Sequence, residues 1–593
     1  MKRMKLTMYI KTHLTVQQRK WLTTKTSLVQ GLLMILMLLN SQSNIAAPRY
    51  VDAKPLTAVI TTPVGDVSQS SQLRLPIITW GAEFAIIHAN GNALSTTPNS
   101  LFGQAGLNFQ LVREDSFVNQ LKSYIQGDSP YLRCTLGMCA QALALLSKDP
   151  RTKPIVISQL TWSAGGDALV VKSGIKSAKD LKGKTVALQA YGPHVDYLTK
   201  ILSDSGLRMS DITVKWLPDL TGTDNTPMSA LYESNVDAAL MIIPDALALT
   251  SNGTVGTGAE DSINGAKILL STKTANRIIA DIYAVRADYF AKNKAKVEKF
   301  VHTLLKAQEQ VQGIMQVQSS ERKTLVKKAG KFLLDAEAAV ADSEGLYADV
   351  EFTGYSDNVN FFTNSRYPRN MQRLSTEIQH QFVSLGLLNG VIGFEHAGWD
   401  YGRLQAGLLN TQDSTASRFD SAKVSAVVAR KQQQGTLADG TLFSFEVFFK
   451  PNQNTFSTEL YADSFNKVID LASTYGGALI TIEGHSDPMG YLKKKKLGES
   501  GVVLKRIKQS AKNLSLTRAN AVRKQLIEYG DSEKIRLDPG QFAVVGQGIR
   551  QPNTGICGGD PCAPKTEQEW RSNMRVVFRI IQVEAESSVF SPL

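Results

Sequence analysis

Short apolar runs alternate with segments of helical periodicity between residues 77 and 410. The helical segments place apolar side chains three and four positions apart, as at Phe117, Leu121, Tyr124 and Ile125. The predicted strands between them are residues 76–80, 107–113, 155–160, 168–172, 185–189, 212–217 and 237–243. Strands that alternate with helices predict an α/β fold with mainly parallel sheets.

The alternation breaks between residues 411 and 440, where the sequence is polar and poor in aromatic side chains. This composition predicts a linker, which can include a short helix over 421–430 and would span about 100 Å if fully extended. A second α/β unit follows. Its predicted elements are strand 443–449, helix 458–474, strand 478–483, a helix that contains Arg518, and strands 542–545 and 575–581. Because the linker is long, we expect the two units to act independently.

The first 47 residues have the pattern of a secretory signal. Seven basic residues and no acidic one precede Ala47, and an apolar run occupies 32–39. The run is shorter than the roughly 20 apolar residues of a membrane-spanning helix. Cleavage near Pro48 and retention as an uncleaved anchor both remain open. Residues 48–76, rich in Thr, Ser, Val and Pro, are predicted to be a poorly ordered lead-in, and residues 584–593 a tail.

The net charge of +13 is partly a property of the signal segment, because seven of the basic residues lie there. The remaining excess is small for a chain of this length and does not indicate nucleic-acid binding. The sequence contains no Gly-x-Ser-x-Gly, no phosphate-loop lysine motif and no His-Glu-x-x-His. We therefore predict neither a catalytic set nor a cofactor.

Four cysteines form two closely spaced pairs, Cys134 with Cys139 and Cys557 with Cys562. Four cysteines allow three pairings, and local bridges are favoured in an oxidising compartment. Neither pair has a His or Cys nearby at zinc-binding spacing, so no metal site is predicted.

A strand over 478–483 ends at a Gly-His-Ser-Asp-Pro turn, which places Asp487 at the strand end. Apolar spacing after Leu514 predicts a helix with Arg518 in its first turn. A carboxylate and a guanidinium so placed can hold the ammonium and the carboxylate of one small zwitterion.

These residues resemble the OmpA-like peptidoglycan-binding domain, over residues 441–583. Its motifs are matched by Ser486-Asp487, by Leu514-Ser515 with Arg518-Ala519, and by Asn573 to Val576. The resemblance implies an α/β sandwich in which Asp487 and Arg518 bind diaminopimelate, with Ser486, Asn452 and Arg575 beside them. The chain departs from the family at Ala511, at Met574 and in the length of the segment between Asp487 and Arg518.

That segment, residues 488–513, is an insertion rich in lysine, including Lys493 to Lys496. Two interpretations remain open. It is a solvated loop, or it is a basic surface that faces anionic cell-wall or lipid groups.

Glycine-rich turns follow several predicted strands of the first unit, where α/β proteins bind ligands. The segments 165–171, 177–186 and 284–300 resemble periplasmic solute-binding proteins of the nitrate, taurine, alkanesulfonate and thiamine-precursor type. The resemblance implies two α/β lobes over residues 77–410 that close on a small solute. The candidate solute-site residues are Trp80, Thr135, Gly137, Gly165, Gly166, Asp167, Tyr191, Gly192, His194 and Asp245.

Together the two resemblances imply a solute-binding protein of an ABC importer, held to peptidoglycan in the periplasm or cell envelope. A second hypothesis keeps the fold but assigns the lobes to sensing or to holding a partner. A third makes the lobes an enzyme, as in thiamine-precursor synthases of this fold, but the sequence offers no identifiable nucleophile or cofactor lysine motif.

Overall fold

The structure, a computed structural model, describes residues 47–259, 261–412, 419–438, 441–448 and 458–581. The predicted signal segment before Ala47, Asn452 and the C-terminal tail lie outside the described residues. The chain from Pro48 onward is one compact body, of which the first and second units are parts. No helix in the described part is both long and apolar enough to cross a membrane.

The described strands are, in chain order, β1 Leu73–Ile77, β2 Phe109–Arg113, β3 Tyr131–Thr135, β4 Pro154–Ser163, β5 Asp167–Val171, β6 Thr185–Gln189, β7 Thr213–Leu217, β8 Ala238–Ile242, β9 Lys267–Ser271, β10 Ala280–Arg286, β11 Val350–Phe352, β12 Glu395–His396, β13 Thr441–Phe448, β14 Leu479–His485, β15 Phe542–Gly548, β16 Ile556–Cys557, β17 Asp560–Pro561 and β18 Arg575–Ile581.

The described α-helices are α1 Leu56–Val59, α2 Glu83–Ala89, α3 Leu101–Gln104, α4 Phe117–Gln126, α5 Leu136–Leu146, α6 His194–Asp204, α7 Pro227–Leu231, α8 Ile243–Leu249, α9 Ala287–Gln316, α10 Ser320–Leu333, α11 Val340–Ala348, α12 Tyr355–Thr363, α13 Met371–Ser384, α14 Tyr401–Leu404, α15 Ser421–Gln434, α16 Thr458–Thr474, α17 Met489–Lys496, α18 Gly501–Ser532 and α19 Glu567–Ser572.

Two five-stranded sheets form the first unit. One has the order β11-β4-β10-β3 with β12 beside β4, and the other has the order β7-β6-β8-β5-β9. The chain passes between these sheets twice, through residues 164–166 after β4 and through residues 272–279 after β9. The α/β prediction is confirmed, but the sheets are mixed and not mainly parallel. Strand β5 follows the first crossing and β10 follows the second, and each runs antiparallel to both of its neighbours.

The predicted lead-in is packed rather than poorly ordered. Leu56 and Ile60 are buried in the core, the Tyr50 hydroxyl donates a hydrogen bond to Glu233 at 2.6 Å, and β1 pairs with β2. Apolar side chains hidden among the Thr, Ser and Pro residues of this segment supply the burial that orders it.

A four-stranded sheet of order β13-β18-β14-β15 forms the second unit. Helices α16 and α18 cover one face, with Ile480 and Ile482 in the shared core. The other face, which includes Leu479, packs against α15. Successive strand residues point to opposite faces, so both faces of β14 are buried.

Two sequence predictions for this unit need correction. The short helix expected over 421–430 is present as α15, which occupies residues 421–434, but Val424, Val427 and Val428 pack it on the sheet and it is not part of an extended linker. The insertion 488–513 is not a loop, since it contains α17 and the first turns of α18. Arg518 consequently lies in the middle of a 32-residue helix and not in its first turn.

The second unit docks on the first through a buried polar interface. Lys200 of α6 lies 3.0 Å from Asp204, 3.0 Å from Glu377 and 3.3 Å from Asp470 of α16. The Tyr475 hydroxyl donates to Asp204 at 2.8 Å. This arrangement is contrary to the expected independence of the two units.

Backbone hydrogen bonds join the second unit directly to the crossing 272–279. Gly477 N donates to Thr274 O at 3.1 Å, and Arg277 N donates to Thr474 O at 3.2 Å. A Cβ at Gly477 would lie 1.9 Å from the carbonyl oxygen of Lys273. Only glycine permits this approach of two backbones.

Replacing Gly477 with alanine should therefore lower the free energy of unfolding of residues 48–593 by about 1–3 kcal/mol, through overpacking at the interface. Chemical denaturation measures this change. Gly313→Ala is the matched control, because no atom lies within 4 Å of a Cβ there and alanine stabilises a helix interior by up to about 1 kcal/mol. Equal stability of Gly477→Ala and the parent chain would contradict the docked arrangement.

Candidate functional sites

Thr272 joins the two crossings of the first unit. Its Oγ1 accepts hydrogen bonds from Gly165 N and Asp167 N, each at 3.1 Å, and lies 2.8 Å from Ser163 Oγ. One hydroxyl thus holds the start of β5 against the end of β9. We call these residues, together with Trp80, His194, Asp196 and Asp349 around them, the hinge site.

At two of the predicted glycines, another side chain packs directly against the backbone. A Cβ at Gly166 would lie 2.3 Å from Cη2 of Trp80, and one at Gly165 would lie 3.0 Å from Oδ1 of Asp349. The indole nitrogen of Trp80 is buried and has no hydrogen-bond partner in the described part of the chain. Glycine at these positions lets Trp80 and Asp349 close over the first crossing.

Asp167 and His194 form a buried pair at the centre of the hinge site. His194 Nε2 lies 2.7 Å from Asp167 Oδ1, and Ser163 Oγ donates to Asp167 Oδ2 at 2.6 Å. Both side chains of the pair are almost fully buried. Ser163 contacts the carboxylate and not the imidazole, which is not the order in which a histidine activates a serine nucleophile.

Asp196, two residues after His194 on α6, lies against the start of α5. A Cβ at Gly137 would lie 2.5 Å from the Asp196 Cγ, and Thr135 caps α5 by accepting from Met138 N at 3.1 Å. The Asp196 side chain is 1% exposed and forms no ion pair with a described side chain, and its compensation comes from the backbone N–H groups of Asp196 and Tyr197. A buried carboxyl without a cationic partner is costly in its charged form.

Burial accordingly raises the pKa of Asp196 to about 8, and the negative charge of Asp167 adds to the effect. Burial likewise raises the pKa of Asp349 to about 7, again with a contribution from Asp167. The negative charge of Asp167 therefore lies close enough to both side chains to oppose their ionisation.

The other predicted solute-site residues lie around this cluster. Asp245 is partly buried near His194, and burial raises its pKa. Gly192 contacts the Gln189 side chain. Tyr191 has a different role, because its hydroxyl donates to Lys54 O at 2.7 Å and accepts from Lys54 N.

Sequence reasoning missed Asp196, Thr272 and Asp349. Thr272 follows β9 directly, so the rule that ligands lie beyond strand ends would have found it had strand 267–271 been predicted. Asp196 follows the predicted His194 by two residues. Asp349 precedes β11, a strand of three residues that no periodicity in the sequence signals.

A second candidate site lies at the end of β14. Asp487 Oδ2 accepts from Met489 N at 3.0 Å, and the Trp570 indole is a second hydrogen-bond donor to the carboxylate. Burial raises the pKa of Asp487, against the lowering effect of Met489 N; Trp570 and Lys493 also approach the carboxylate. Trp570, on α19, was not predicted.

Arg518 lies on α18, the helix that packs beside this strand end. It is half-buried on α18, burial lowers its pKa, and its Nε has no described hydrogen-bond partner. The helix is fixed near the strand end because Gly548 N donates to Ser515 Oγ at 2.9 Å and Ser486 Oγ donates to Ala511 O at 3.1 Å. Asp487 and Arg518 form no ion pair with each other or with another described side chain.

The remaining predicted residues of this site are engaged in the fold. Arg575 donates from Nε to Glu446 at 2.9 Å and from Nη2 to Gln551 O at 3.2 Å. Ser486 N donates to Gly548 O at 2.9 Å. Both position the strand ends of β14, β15 and β18 around Asp487.

The two predicted disulfides are confirmed, and each borders a candidate site. Cys134–Cys139 links the end of β3 to α5 around Thr135 and Gly137. Cys557–Cys562 closes the β16–β17 hairpin, whose Asp560 accepts from the Tyr491 hydroxyl at 2.7 Å. Cross-links of this kind restrict the local backbone.

Residues 155–312 match the family described as NMT1/THI5 like. This segment starts in β4, contains both crossings of the hinge site and ends in α9. None of the curated proteins compared with the chain matches it.

Among solved structures, the chain is similar to the periplasmic aliphatic sulphonate binding protein SsuA from Escherichia coli, with 16% identity and a TM-score of 0.39 over 59% of this chain and 97% of that one. It is similar to the alkanesulfonate-binding protein SsuA from Xanthomonas axonopodis pv. citri bound to MOPS, with 16% identity and a TM-score of 0.38 over 54% and 96%. The desulfurization enzyme DSZB is similar at 14% identity and a TM-score of 0.35 over 56% and 96%.

The raised pKa of Asp196 predicts how the free energy of unfolding depends on pH. Its folded pKa of about 8 exceeds the ordinary value of 3.8, so the folded state binds this proton more tightly and loses stability as the pH rises from 4 to 8. Between pH 5 and pH 8, the parent chain should therefore lose up to about 4 kcal/mol more stability than Asp196→Asn. Denaturation at both pH values measures the difference. The exposed Asp128→Asn is the control, and a parent-like pH dependence of Asp196→Asn would contradict the prediction.

Proposed function

We propose that this protein is an exported solute-binding protein of the periplasm that peptidoglycan holds through its C-terminal unit. The observation that supports solute binding best is the hinge site, since it lies at both crossings between two α/β sheets. Ligands of open α/β sheets bind beyond strand ends where the chain changes direction. The match of residues 155–312 to the NMT1/THI5 like family supports the same role.

The solute of this proposal carries a positive charge. Asp167, Asp196 and Asp349 are carboxyls at one site, and His194 is already bonded to Asp167. An ammonium or guanidinium group would stabilise their charged forms, whereas a sulfonate would add a further buried negative charge. An ABC importer is the proposed recipient of the solute.

The peptidoglycan role rests on Asp487 and Arg518. Both side chains are partly buried, neither forms an ion pair with a described side chain, and the two groups have opposite charge. Diaminopimelate carries an ammonium and a carboxylate on one carbon, which an aspartate and an arginine can bind by charge-assisted hydrogen bonds. The element order of β13 to β18 agrees with the resemblance to the OmpA-like domain.

One observation favours a sensory function as a second candidate. The C-terminal unit forms backbone hydrogen bonds with residues 274 and 277 of the second crossing, next to Thr272 of the hinge site. A ligand that changes the crossing would also change this interface, so solute binding and wall binding would influence each other. Peptidoglycan affinity that changes when the solute is added would support sensing, and an unchanged affinity would favour delivery to an importer.

Substitution of the proposed wall site should abolish binding to diaminopimelate-type peptidoglycan. Asp487→Ala or Arg518→Ala leaves one ligand charge unpaired, which costs about 2–5 kcal/mol. Arg518→Lys should restore binding in part, because lysine lacks the planar fork of arginine. Co-sedimentation with purified peptidoglycan measures the effect.

The exposed residues Asp531 and Arg550 supply matched controls, and Asp531→Ala and Arg550→Ala should bind like the parent chain. Equal retention of the parent and Asp487→Ala would show that this pair does not bind the wall.

A thermal-shift screen tests the proposed solute class. Among arginine, putrescine and propanesulfonate, the amine-bearing compounds should stabilise residues 48–593 and propanesulfonate should not. A ligand at a hundred-fold excess over its dissociation constant adds about 2.7 kcal/mol. Asp167→Asn should lose the shift and the exposed Asp128→Asn should keep it. Stabilisation by propanesulfonate that survives Asp167→Asn would contradict this solute class.

A further inference from the structure

The insertion between Asp487 and Arg518 forms a helical hairpin. Helix α17 leads through a turn at 497–500 into the first turns of α18. Within residues 489–512 the only acidic residue is Glu499. The basic residues of the hairpin are Lys493, Lys494, Lys495, Lys496, Lys505, Arg506, Lys508 and Lys512. The hairpin is therefore a concentrated positive surface on a unit that otherwise has mixed charge.

The tip of the hairpin also exposes two apolar side chains. Leu497 is 74% exposed and Val502 is 63% exposed. Lys505 and Arg506 follow Val502 by three and four positions, so these three side chains share one face of α18. Single exposed apolar residues are common on protein surfaces. Two of them at one tip, with lysines on both sides, form an amphipathic surface.

The base of the hairpin is held in place. Tyr491 is buried, and its hydroxyl donates to Asp560 in the hairpin that Cys557–Cys562 closes. Lys495 forms an ion pair with the same Asp560, and Lys508 Nζ lies 4.6 Å from the centre of the Tyr491 ring. The tip is thus presented to solvent on a fixed support.

We propose that the tip of this hairpin binds the surface of a membrane that contains anionic phospholipid. The basic side chains complement the negative headgroups, while Leu497 and Val502 enter the boundary between headgroups and acyl chains. An anionic glycan polymer would satisfy the charges but offers no apolar layer for the two side chains. The proposal is independent of the solute and of the peptidoglycan site.

Vesicle co-sedimentation of residues 48–593 tests it. This compact unit lacks the apolar run of residues 32–39, so that run cannot contribute. The parent should bind vesicles of phosphatidylglycerol and phosphatidylcholine and should not bind phosphatidylcholine alone. Lys496→Gln, Lys505→Gln and Arg506→Gln combined should weaken binding about a hundred-fold. Leu497→Ser with Val502→Ser should weaken it about ten-fold.

Matched controls use equally exposed residues elsewhere. Lys176→Gln, Lys179→Gln and Lys182→Gln remove the same charge from another surface, and Leu409→Ser changes a leucine that is 87% exposed. Both should bind like the parent, and unchanged thermal unfolding would show that the hairpin variants are folded. Equal binding of the parent and the basic-residue triple variant would overturn the proposal. Binding that depends on the basic residues but not on Leu497 and Val502 would also overturn it, in favour of a charge-only contact with an anionic polymer.

Discussion

The contact between the two units depends on the ion pairs of the buried Lys200. The ammonium group is almost fully buried and contacts carboxylates from α6, α13 and α16. Taking a charge out of water is costly unless partners compensate it closely. Three carboxylates provide that compensation, and the nearby Arg369, also buried, pairs with Glu377 at 3.1 Å. Loss of Lys200 would leave three buried or half-buried carboxylates without their shared partner.

Helix α6 links this charge network to the hinge site. His194 and Asp196 lie at its start, and Lys200 and Asp204 follow one and two turns later. A cavity of about 10 Å³ is bounded by Asp196, Lys200 and Arg369, among others. The buried Asp196 carboxyl and the network that holds the C-terminal unit are therefore neighbours on one helix.

Apolar periodicity predicted many of the strands of both units, because buried strands need near-continuous apolar runs, but it did not predict β3 or β9 of the first unit. Periodicity did not predict the helices of the insertion, because lysines dominate their sequence. These helices are stabilised by contacts such as that of Tyr491 with Asp560. The position of Arg518 was wrong for the same reason. The linker prediction failed because Val424, Val427 and Val428 are spaced among polar residues, and only the sheet beneath them shows which face they cover.

Part of the candidate sites was within reach of the sequence. Gly165, Gly166, Asp167 and His194 follow strand ends, so their clustering was predictable from the fold class. Asp349 was not, because it comes from a segment far along the chain. The docking of the C-terminal unit was also beyond prediction, since it depends on Gly477 and on backbone atoms whose chemistry is the same in every residue.

The C-terminal unit contacts residues 274 and 277 and thereby restrains the second of the two crossings between the sheets. Rotation of one sheet relative to the other would change the backbone torsions of residues 164–166 and 272–279, and also those of the N-terminal segment, whose Val51 N donates to Trp216 O of β7. The first crossing is free of the C-terminal unit in the described structure, whereas the second is clamped by two backbone hydrogen bonds to residues 474 and 477. A change in the angle between the two sheets would therefore be resisted at the second crossing by the C-terminal unit, and less so at the first.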